Sequence, residues 1–281
     1  MPVVIAGVLN RTPDSFFDGG RFPSVEAAVV TGRALVEQGA HWVDVGGEST
    51  RPGAEPVPED EEVRRVVPVI EGLVGPLRGR ARISIDTYKA GTAAAALAAG
   101  ATIVNDVSGG RLEPEILRIV ATRGAAVVLG HLRGRPATMM TNVHFDDVLA
   151  EVGRELGERV AAARAAGCRD IWADPGIGFG KELGHNLTLL AGLAELKRQL
   201  GVPVMVGVSR KRFIGDLTGK PVHERMMGTA AAVALAIESG ADAVRVHDVA
   251  EMRDVVAVSE ALVEARARRE KHYNIGHHGS A

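Results

Sequence analysis

The chain has 281 residues, of which 46% are hydrophobic and 24% charged, and its formal net charge is −2. This balance describes a globular protein and gives no electrostatic reason to expect nucleic acid or a membrane surface as a partner. Two Trp, two Tyr and six Phe are too few for the stacking surfaces that bind single strands. Cys168 is the only cysteine, and the sequence shows no signal peptide or membrane-spanning apolar run, so we expect a cytoplasmic protein without disulfides.

Short apolar runs alternate with longer helical patterns along the chain. The runs are near-continuous in Val, Ile and Leu, which is typical of parallel strands buried on both faces. Helical patterns such as 25–39 and 145–167 separate the runs, and a glycine often follows the helix as a C-terminal cap. The predicted strands are 2–10, 41–47, 82–87, 102–108, 125–131, 170–176, 202–209 and 243–248.

This alternation favours a closed barrel over an open doubly wound sheet. We therefore predict the α/β class, with a single-domain (β/α)8 TIM barrel over residues 1–270 and a disordered tail over 271–281. Two connections, at 11–24 and 48–61, are long and rich in Pro, Gly and polar residues. Long loops at the catalytic end of a barrel usually carry function, so both are expected to border a site.

Polar residues concentrate where the predicted strands end. Because the carboxyl ends of barrel strands converge on one mouth, these side chains should share one site. Helix capping would explain one such residue, but not residues at seven or eight strand ends. The residues concerned are Asn10, Glu48, Ser49, Thr50, Arg51, Asp86, Asn105, Asp106, His131, Asp174, Ser209, Arg210, Lys211, Arg245, His247 and Asp248.

The residue types at this mouth indicate a class of chemistry. Asp86, Asn105 and Asp174 suit a heterocycle with adjacent N–H donors and acceptors, since a carboxylate can accept two parallel hydrogen bonds. A second group suits an anionic leaving group, with or without Mg²⁺: Asn10, Thr50, Arg245 and His247. The sequence contains no zinc-binding spacing, P-loop or dinucleotide motif. These residues predict transfer between a heterocycle bearing an anion and a second small substrate.

Eight motifs in chain order carry a family resemblance: LNRTPDSFFDGG, DVGGESTRPGAEPV, SIDT, NDVSGG, HLRGRPATM, DPGIGFGK, VGVSRKRFIG and RVHD. Between residue 7 and about residue 248 they resemble the motifs of dihydropteroate synthases. The resemblance implies a transferase of folate biosynthesis that joins 6-hydroxymethyl-7,8-dihydropterin diphosphate to p-aminobenzoate, releasing pyrophosphate and 7,8-dihydropteroate. It also implies Mg²⁺ as cofactor, inhibition by sulfonamides, and a homodimer formed through the last helices.

The resemblance further implies roles for individual residues. The pterin would be held by Asp86, Asn105, Asp174, Lys211 and Arg245. The diphosphate would be held by Asn10, Thr50, Arg245 and His247, with Asn10 near the Mg²⁺. The aminobenzoate pocket would contain Phe16, Pro52, Phe179 and Ser209, with Thr12, Asp14 and Arg51 on the two loops. Catalysis would depend on Asp86, Lys211, Arg245 and His247.

The chain departs from the usual family pattern at three places. Arg11 stands where Val is usual, either as a second positive charge beside the diphosphate or as a solvent-facing arginine. Gly130 stands where many members have a Met that packs on the pterin, so the pterin floor would be less filled, or filled by a neighbour such as Val208. We also expect no hairpin before the first strand, where family members often have one.

Two other functions stay open from sequence. One is a methyltetrahydrofolate methyltransferase that acts with corrinoid proteins, in which the TPDSF, ESTRPG and SRK segments are not expected. The other is a catalytically silent barrel that only binds pterin or serves as a partner subunit. A binding-only protein would have no evident reason to keep both the pterin set and the anion set of side chains.

Overall fold

In the computed structural model the described residues are 2–11, 24–51 and 53–277, with side chains up to Arg269. Within these ranges, eight parallel strands form one sheet in the order β6-β5-β4-β3-β2-β1-β8-β7. An isolated parallel bridge between Ala173 and Val204 joins the two edge strands and nearly closes the barrel. The strands are β1 Val4–Asn10, β2 Trp42–Gly46, β3 Arg82–Asp86, β4 Ile103–Asp106, β5 Ala126–Gly130, β6 Asp170–Asp174, β7 Met205–Gly207 and β8 Ala243–Val246. Each lies within its predicted range, and the TIM-barrel prediction is confirmed.

Helices cover the outside of the barrel and often end as the sequence predicts. Gly39 and Gly100 adopt φ values of 116° and 115°, and each N–H donates to carbonyls of the preceding helix. The helices are α1 Val25–Gln38, α2 Glu59–Leu77, α3 Ala90–Ala99, α4 Glu115–Arg123, α5 Val148–Ala165, α6 Leu183–Ala191, α7 Leu193–Leu200, α8 Arg212–Thr218, α9 Met226–Glu238 and α10 Val249–His277.

The last helix continues into the stretch predicted as a tail. The backbone of 271–277 belongs to α10, so the helix extends beyond the predicted end of the barrel domain at residue 270. Residues 278–281 lie outside the described part of the chain, and for them the tail stays a prediction. Within the described ranges, no helix has both the length and the apolar composition needed to cross a membrane.

The barrel interior changes character along each strand. Near the base, Trp42 and Trp172 meet edge to face with ring centroids 4.9 Å apart. Ile103 and Met205 pack in the same interior cluster, which we call the floor. Because side chains alternate between faces of a strand, the next inward position lies two residues further along. At that level the side chains are polar: Asp44, Asn105, Asp174 and Arg245. The floor therefore supports a polar mouth.

Candidate active site at the barrel mouth

A pocket opens at the carboxyl ends of the strands. The parallel register explains its composition: Asp86 pairs with Asn105, and Gly130 with Asp174. Gly207 likewise pairs with Arg245. The predicted site residues that line this pocket are Asp86, Asn105, Asp174, Phe179, Ser209, Lys211, Arg245 and His247.

Arg245 lies at the centre of the site, between two carboxylates. Its Nε donates to Oδ2 of Asp44 and its Nη2 donates to Oδ2 of Asp86, each at 2.6 Å. Burial acts to lower the pKa of Arg245, but the charges of Asp44 and Asp86 outweigh it and raise that pKa. Arg245 is therefore a permanent cation held in a fixed orientation.

Asp44 is a site residue that the sequence did not reveal. Its side chain is 2% exposed, and the same Oδ2 that receives Arg245 also accepts from Asn105 Nδ2 at 3.0 Å. Its Oδ1 is buried without a hydrogen-bond partner among the described residues. The residue lies inside the apolar run of β2, on the same face as Trp42 and Gly46, and this period of two was the available signal.

The pKa of the Asp86 carboxyl group is set by opposing effects. Burial raises its pKa, the guanidinium of Arg245 opposes that effect, and the charge of Asp44 adds to the increase. A positive charge that forms beside Asp86 would stabilise its ionised form. Asp86 can therefore respond strongly to a developing cation.

Asp174 and Lys211 form a second charged group across the pocket. Asp174 Oδ1 accepts from the N–H of Gly176 at 2.7 Å, and burial raises the pKa of Asp174. Lys211 donates to the carbonyl of Ile177, and its Nζ lies 4.4 Å from the ring centroid of Phe179. Burial lowers the pKa of Lys211 to about 8, although Asp174 acts in the opposite direction. Asp174 and Lys211 therefore supply a hydrogen-bond acceptor and a donor to the same pocket, with the Lys211 Nζ beside an aromatic ring.

Ser209 and His247 contact each other directly. Ser209 Oγ accepts from the backbone N–H of His247 at 3.3 Å and lies 3.0 Å from His247 Nδ1. Burial, together with the charges of Arg245 and Arg210, lowers the pKa of His247 to about 4. The imidazole is thus neutral at physiological pH and can donate a hydrogen bond without adding charge.

The remaining predicted anion-binding residues lie at the rim. The Oδ1 atom of Asn10, which ends β1, is 3.0 Å from where a Cβ on Gly46 would be. Thr50 is half-buried and Arg51 is exposed in the connection after β2. The charge of Arg51 contributes to the lowered pKa of His247, so Arg51 acts on the site electrostatically. Four predicted loop residues lie outside the described part of the chain: Thr12, Asp14, Phe16 and Pro52.

The structure explains the glycine at position 130. A Cβ there would lie 2.7 Å from both the Cα and the carbonyl oxygen of Val107, so this position admits no side chain unless the backbone moves. Val107 itself lines the pocket. Val208, the neighbour suggested from the sequence, instead packs in the core between barrel and helices. Arg11 donates to the carbonyl of Arg65 on α2 at 2.5 Å.

Two predicted mouth residues have supporting roles. Asp106 accepts from the N–H groups of Ser108 and Gly110, each at 2.7 Å, and so closes its own turn. His131 lies 2.9 Å from the buried Nζ of Lys181, which also donates to backbone carbonyls of the segment after β6. Burial and the charge of Lys181 lower the pKa of His131 to about 4. These contacts hold the segment that carries Phe179.

Glu48 anchors the start of the connection after β2. Lys89 donates to both Glu48 and Glu62, and Tyr88 donates to Glu48. Glu48 also accepts from the N–H of Val57 at 3.0 Å. Because Glu62 and Lys89 are buried, this cluster fixes the base of the segment that carries Thr50 and Arg51. No group of three or more His, Cys, Asp or Glu among the described side chains is arranged to hold a metal ion.

Comparison with known proteins relates this geometry to a family. The family described as pterin binding enzyme matches residues 6–247. The chain is 47% identical over 261 residues to a dihydropteroate synthase of Synechocystis sp., covering 92% of this chain and 89% of that protein. A solved dihydropteroate synthase of Xanthomonas albilineans with 4-aminobenzoic acid is similar at 48% identity and a TM-score of 0.85, covering 93% of each chain. One of Yersinia pestis with a sulfonamide drug is similar at 39% identity and a TM-score of 0.87, covering 93% of this chain and 94% of that one.

Proposed function

The chain belongs to the pterin-binding enzyme family, among its dihydropteroate synthases, and from that premise we propose how its residues carry out the family reaction. The reaction condenses 6-hydroxymethyl-7,8-dihydropterin diphosphate with p-aminobenzoate and yields 7,8-dihydropteroate and pyrophosphate. The observation that carries the proposal is the pocket in which Arg245 pairs with Asp86 while Asp174 and Lys211 line another part of the wall. The cation of Arg245 can meet a leaving anion, and the side chains of Asp174 and Lys211 can meet a polar ring.

The pterin ring binds the edge formed by Asp174, Asn105 and Lys211. The carboxylate of Asp174 accepts two adjacent N–H groups of the ring, a geometry that makes charge-assisted hydrogen bonds strong. The guanidinium of Arg245, fixed by Asp44 and Asp86, lies against the ring face. The fixed orientation of Arg245 supports this assignment, because a planar guanidinium stacks well on a planar ring.

The diphosphate binds at the Arg245 side of the mouth. His247, neutral in the pocket, donates a hydrogen bond to it, while Asn10 and Thr50 supply polar contacts at the rim. When pyrophosphate leaves, a methylene cation forms on the pterin. The carboxylate of Asp86 stabilises that cation, and the arylamine then attacks it. The amine is a weak nucleophile, so orientation contributes more than a base does.

The p-aminobenzoate ring binds beside Phe179, which lines the pocket next to Lys211. Its carboxylate meets Ser209, whose hydroxyl is already oriented by His247. The family resemblance assigns Phe16 and Pro52 to the same pocket, and both lie outside the described residues. Sulfonamides resemble the aminobenzoate and compete for the same place. An inhibition constant that did not vary with aminobenzoate concentration would contradict this assignment.

Asn10 is the protein residue that we propose as the magnesium ligand. Because position 46 is a glycine, the carboxamide oxygen of Asn10 has room at the rim. Mg²⁺ usually takes only one or two oxygens from the protein and completes its shell with substrate phosphates and water, so a single amide fits this ion. Bound with the diphosphate, Mg²⁺ would neutralise the charge that develops on the leaving group.

A homodimer and a cytoplasmic location complete the proposal. Leu235 on α9 and Val258 and Leu262 on α10 are exposed apolar side chains on two helices that pack together. Apolar surface of this kind supports an interface between copies of the chain, which sedimentation would detect.

The single buried Cys168 supports a reducing compartment.

Pyrophosphate release from synthetic pterin diphosphate tests the proposed function. We expect turnover to require both p-aminobenzoate and Mg²⁺. In Asp86→Asn, kcat should fall by about 100- to 1,000-fold, the cost of removing one preorganised charge-stabilising group. The matched control is Asp170→Asn, which removes an exposed carboxylate at the base of the barrel. A protein that binds the pterin but releases no pyrophosphate would be the silent binder instead.

The pH profile provides a second measurement on the same variants. Asp86 must be ionised to stabilise the cation, and burial raises its pKa. Activity should therefore be full above that raised pKa and decline as the pH falls through it. Asp86→Asn should lack this acid limb, whereas Asp170→Asn should retain it.

A further inference from the structure

The backbone between two proposed site residues is strained. Arg210 lies between Ser209 and Lys211 and has a φ of 58°, in the left-handed region. Among the residues that the structure describes, it is the only non-glycine residue with a positive φ. A side chain disfavours this conformation, which persists only where the surroundings hold it in place.

Three neighbours hold this turn. The N–H of Arg210 donates to Oγ1 of the fully buried Thr229 at 3.0 Å. Arg225 Nη1 lies 3.1 Å from the carbonyl oxygen of Arg210 and 3.3 Å from that of Lys211. The guanidinium of Arg210 forms a bidentate ion pair with Asp248, with Nε 2.9 Å from Oδ2 and Nη2 bonded to Oδ1.

The ion pair continues a ladder between the ends of β7 and β8. Ser209 contacts His247, and the next residue on each side forms the Arg210–Asp248 pair. Arg210 and Asp248 do not themselves line the pocket, whereas Ser209, Lys211 and His247 do. The pair can therefore influence the site only through its neighbours.

We propose that Arg210 and Asp248 are positioning residues that hold Ser209, Lys211 and His247 in one arrangement. The inference rests on the proposed function, in which those three residues meet the aminobenzoate, the pterin and the diphosphate respectively. If the pair is removed, the turn relaxes and the ends of β7 and β8 move independently. Binding of both substrates then weakens together, although neither substrate touches the pair.

The same two strands offer a matched control at their other ends. Lys197 Nζ lies 2.7 Å from Oδ1 of Asp242, whose Oδ2 accepts from the N–H of Val204. The Lys197 and Arg210 side chains are equally exposed, at 37%. The Lys197–Asp242 pair thus joins α7 to the residue before β8, far from the mouth, and its carboxylate is 31% exposed against 13% for Asp248. Lys197→Ala should therefore remove a comparable ion pair without changing substrate binding or turnover at the site.

Arg210→Gly is the informative variant, because glycine adopts the left-handed backbone without strain. The midpoint of thermal unfolding should stay close to that of the parent, since relief of strain offsets the lost ion pair. At metal sites, removing an outer partner that orients a ligand costs about 10- to 100-fold in affinity or activity, and we expect a loss of kcat/KM of that order here. Arg210→Lys, which keeps one ion-pair contact, should recover part of the loss. The proposal would be overturned if Arg210→Gly kept its full kcat/KM, or if Lys197→Ala lost as much.

A histidine NMR titration reports on the pair without turnover. Arg210 contributes to the low pKa of His247, and Asp248 opposes it. Removal of the Arg210 cation takes away a charge that lowers the pKa of His247, while the opposing charge of Asp248 remains, so this pKa should rise. Arg210→Gly should therefore move the His247 titration to higher pH, while Lys197→Ala should not. An unmoved titration would contradict the proposal even if the parent enzyme were active, and an inactive parent with a moved titration would count against the proposed function alone.

Discussion

The two ends of the barrel interior carry the same side chain in different settings. At the base, the Arg82 side chain is 39% exposed and forms an ion pair with Asp170 at 3.1 Å. At the mouth, the Arg245 side chain is 21% exposed and contacts Asp44 and Asp86, each at 2.6 Å. Water screens the first pair, whereas burial of the carboxylates leaves the second group strongly coupled. The strength of each ion pair therefore depends on how deeply the carboxylates are buried more than on the arginine itself.

The change from floor to mouth takes place within two residues of a strand. Trp42 is followed on the same face by Asp44, and Trp172 is followed by Asp174. The floor consists of side chains that pack tightly and need no partner. The mouth consists of groups that need partners, which Arg245 and Asp86 find in each other and Asp174 and Lys211 find in the backbone. We therefore expect floor substitutions to affect stability and mouth substitutions to affect activity.

The largest effect should come from the floor. Trp42 is buried and contacts Trp172 edge to face. Trp42→Ala should lower the free energy of unfolding by about 3–5 kcal/mol, the usual cost of truncating a large buried aromatic side chain. Urea unfolding measures this loss. The folded fraction should keep the parent KM for both substrates, and a raised KM would show that floor and mouth are not separable.

At the mouth, Asp44→Asn tests whether a residue beneath the pocket controls the chemistry. The amide can still accept one hydrogen bond, but the charge that fixes Arg245 is lost. The value of kcat/KM should fall by about 100-fold, the cost of misplacing a reacting group by ~1 Å. Since the charge of Asp44 raises the pKa of Asp86, the acid limb of the pH profile should also move to lower pH. Unchanged kinetics and an unmoved limb would assign Asp44 to the structure alone.

The sequence predicted the fold well because its signal is local. Near-continuous apolar runs marked all eight strands, and the residues that end them converge because parallel strands share a direction. Strand ends were less certain. The predicted strand 202–209 is longer than the observed β7, Met205–Gly207. Pro203 has no N–H to donate to a neighbouring strand, and the chain turns sharply at Arg210.

The candidate site was predicted where a polar residue is the last or next-to-last residue of its strand, and it was missed at Asp44, in the middle of β2. Asp86 and Asp174 end β3 and β6 and line the pocket as expected. Asp44 was missed because a single acid within an apolar run resembles part of the strand. His131 was placed at the mouth, but its partner Lys181 is 50 residues away in sequence. A contact over that separation leaves no local pattern.

The smallest effect should come from the base of the barrel, at Arg82. Its guanidinium pairs with the half-exposed Asp170 and lies 5.8 Å from the ring centroid of Trp42. Arg82→Ala should cost no more than about 1 kcal/mol of unfolding free energy, as for other exposed ion pairs, and less still at high salt. The activity should not change, because Arg82 and Asp170 are remote from the mouth. A double-mutant cycle with Asp170→Asn measures the interaction energy of the pair. An interaction energy well above that of exposed ion pairs would mean that charges at the base are as weakly screened by water as those at the mouth.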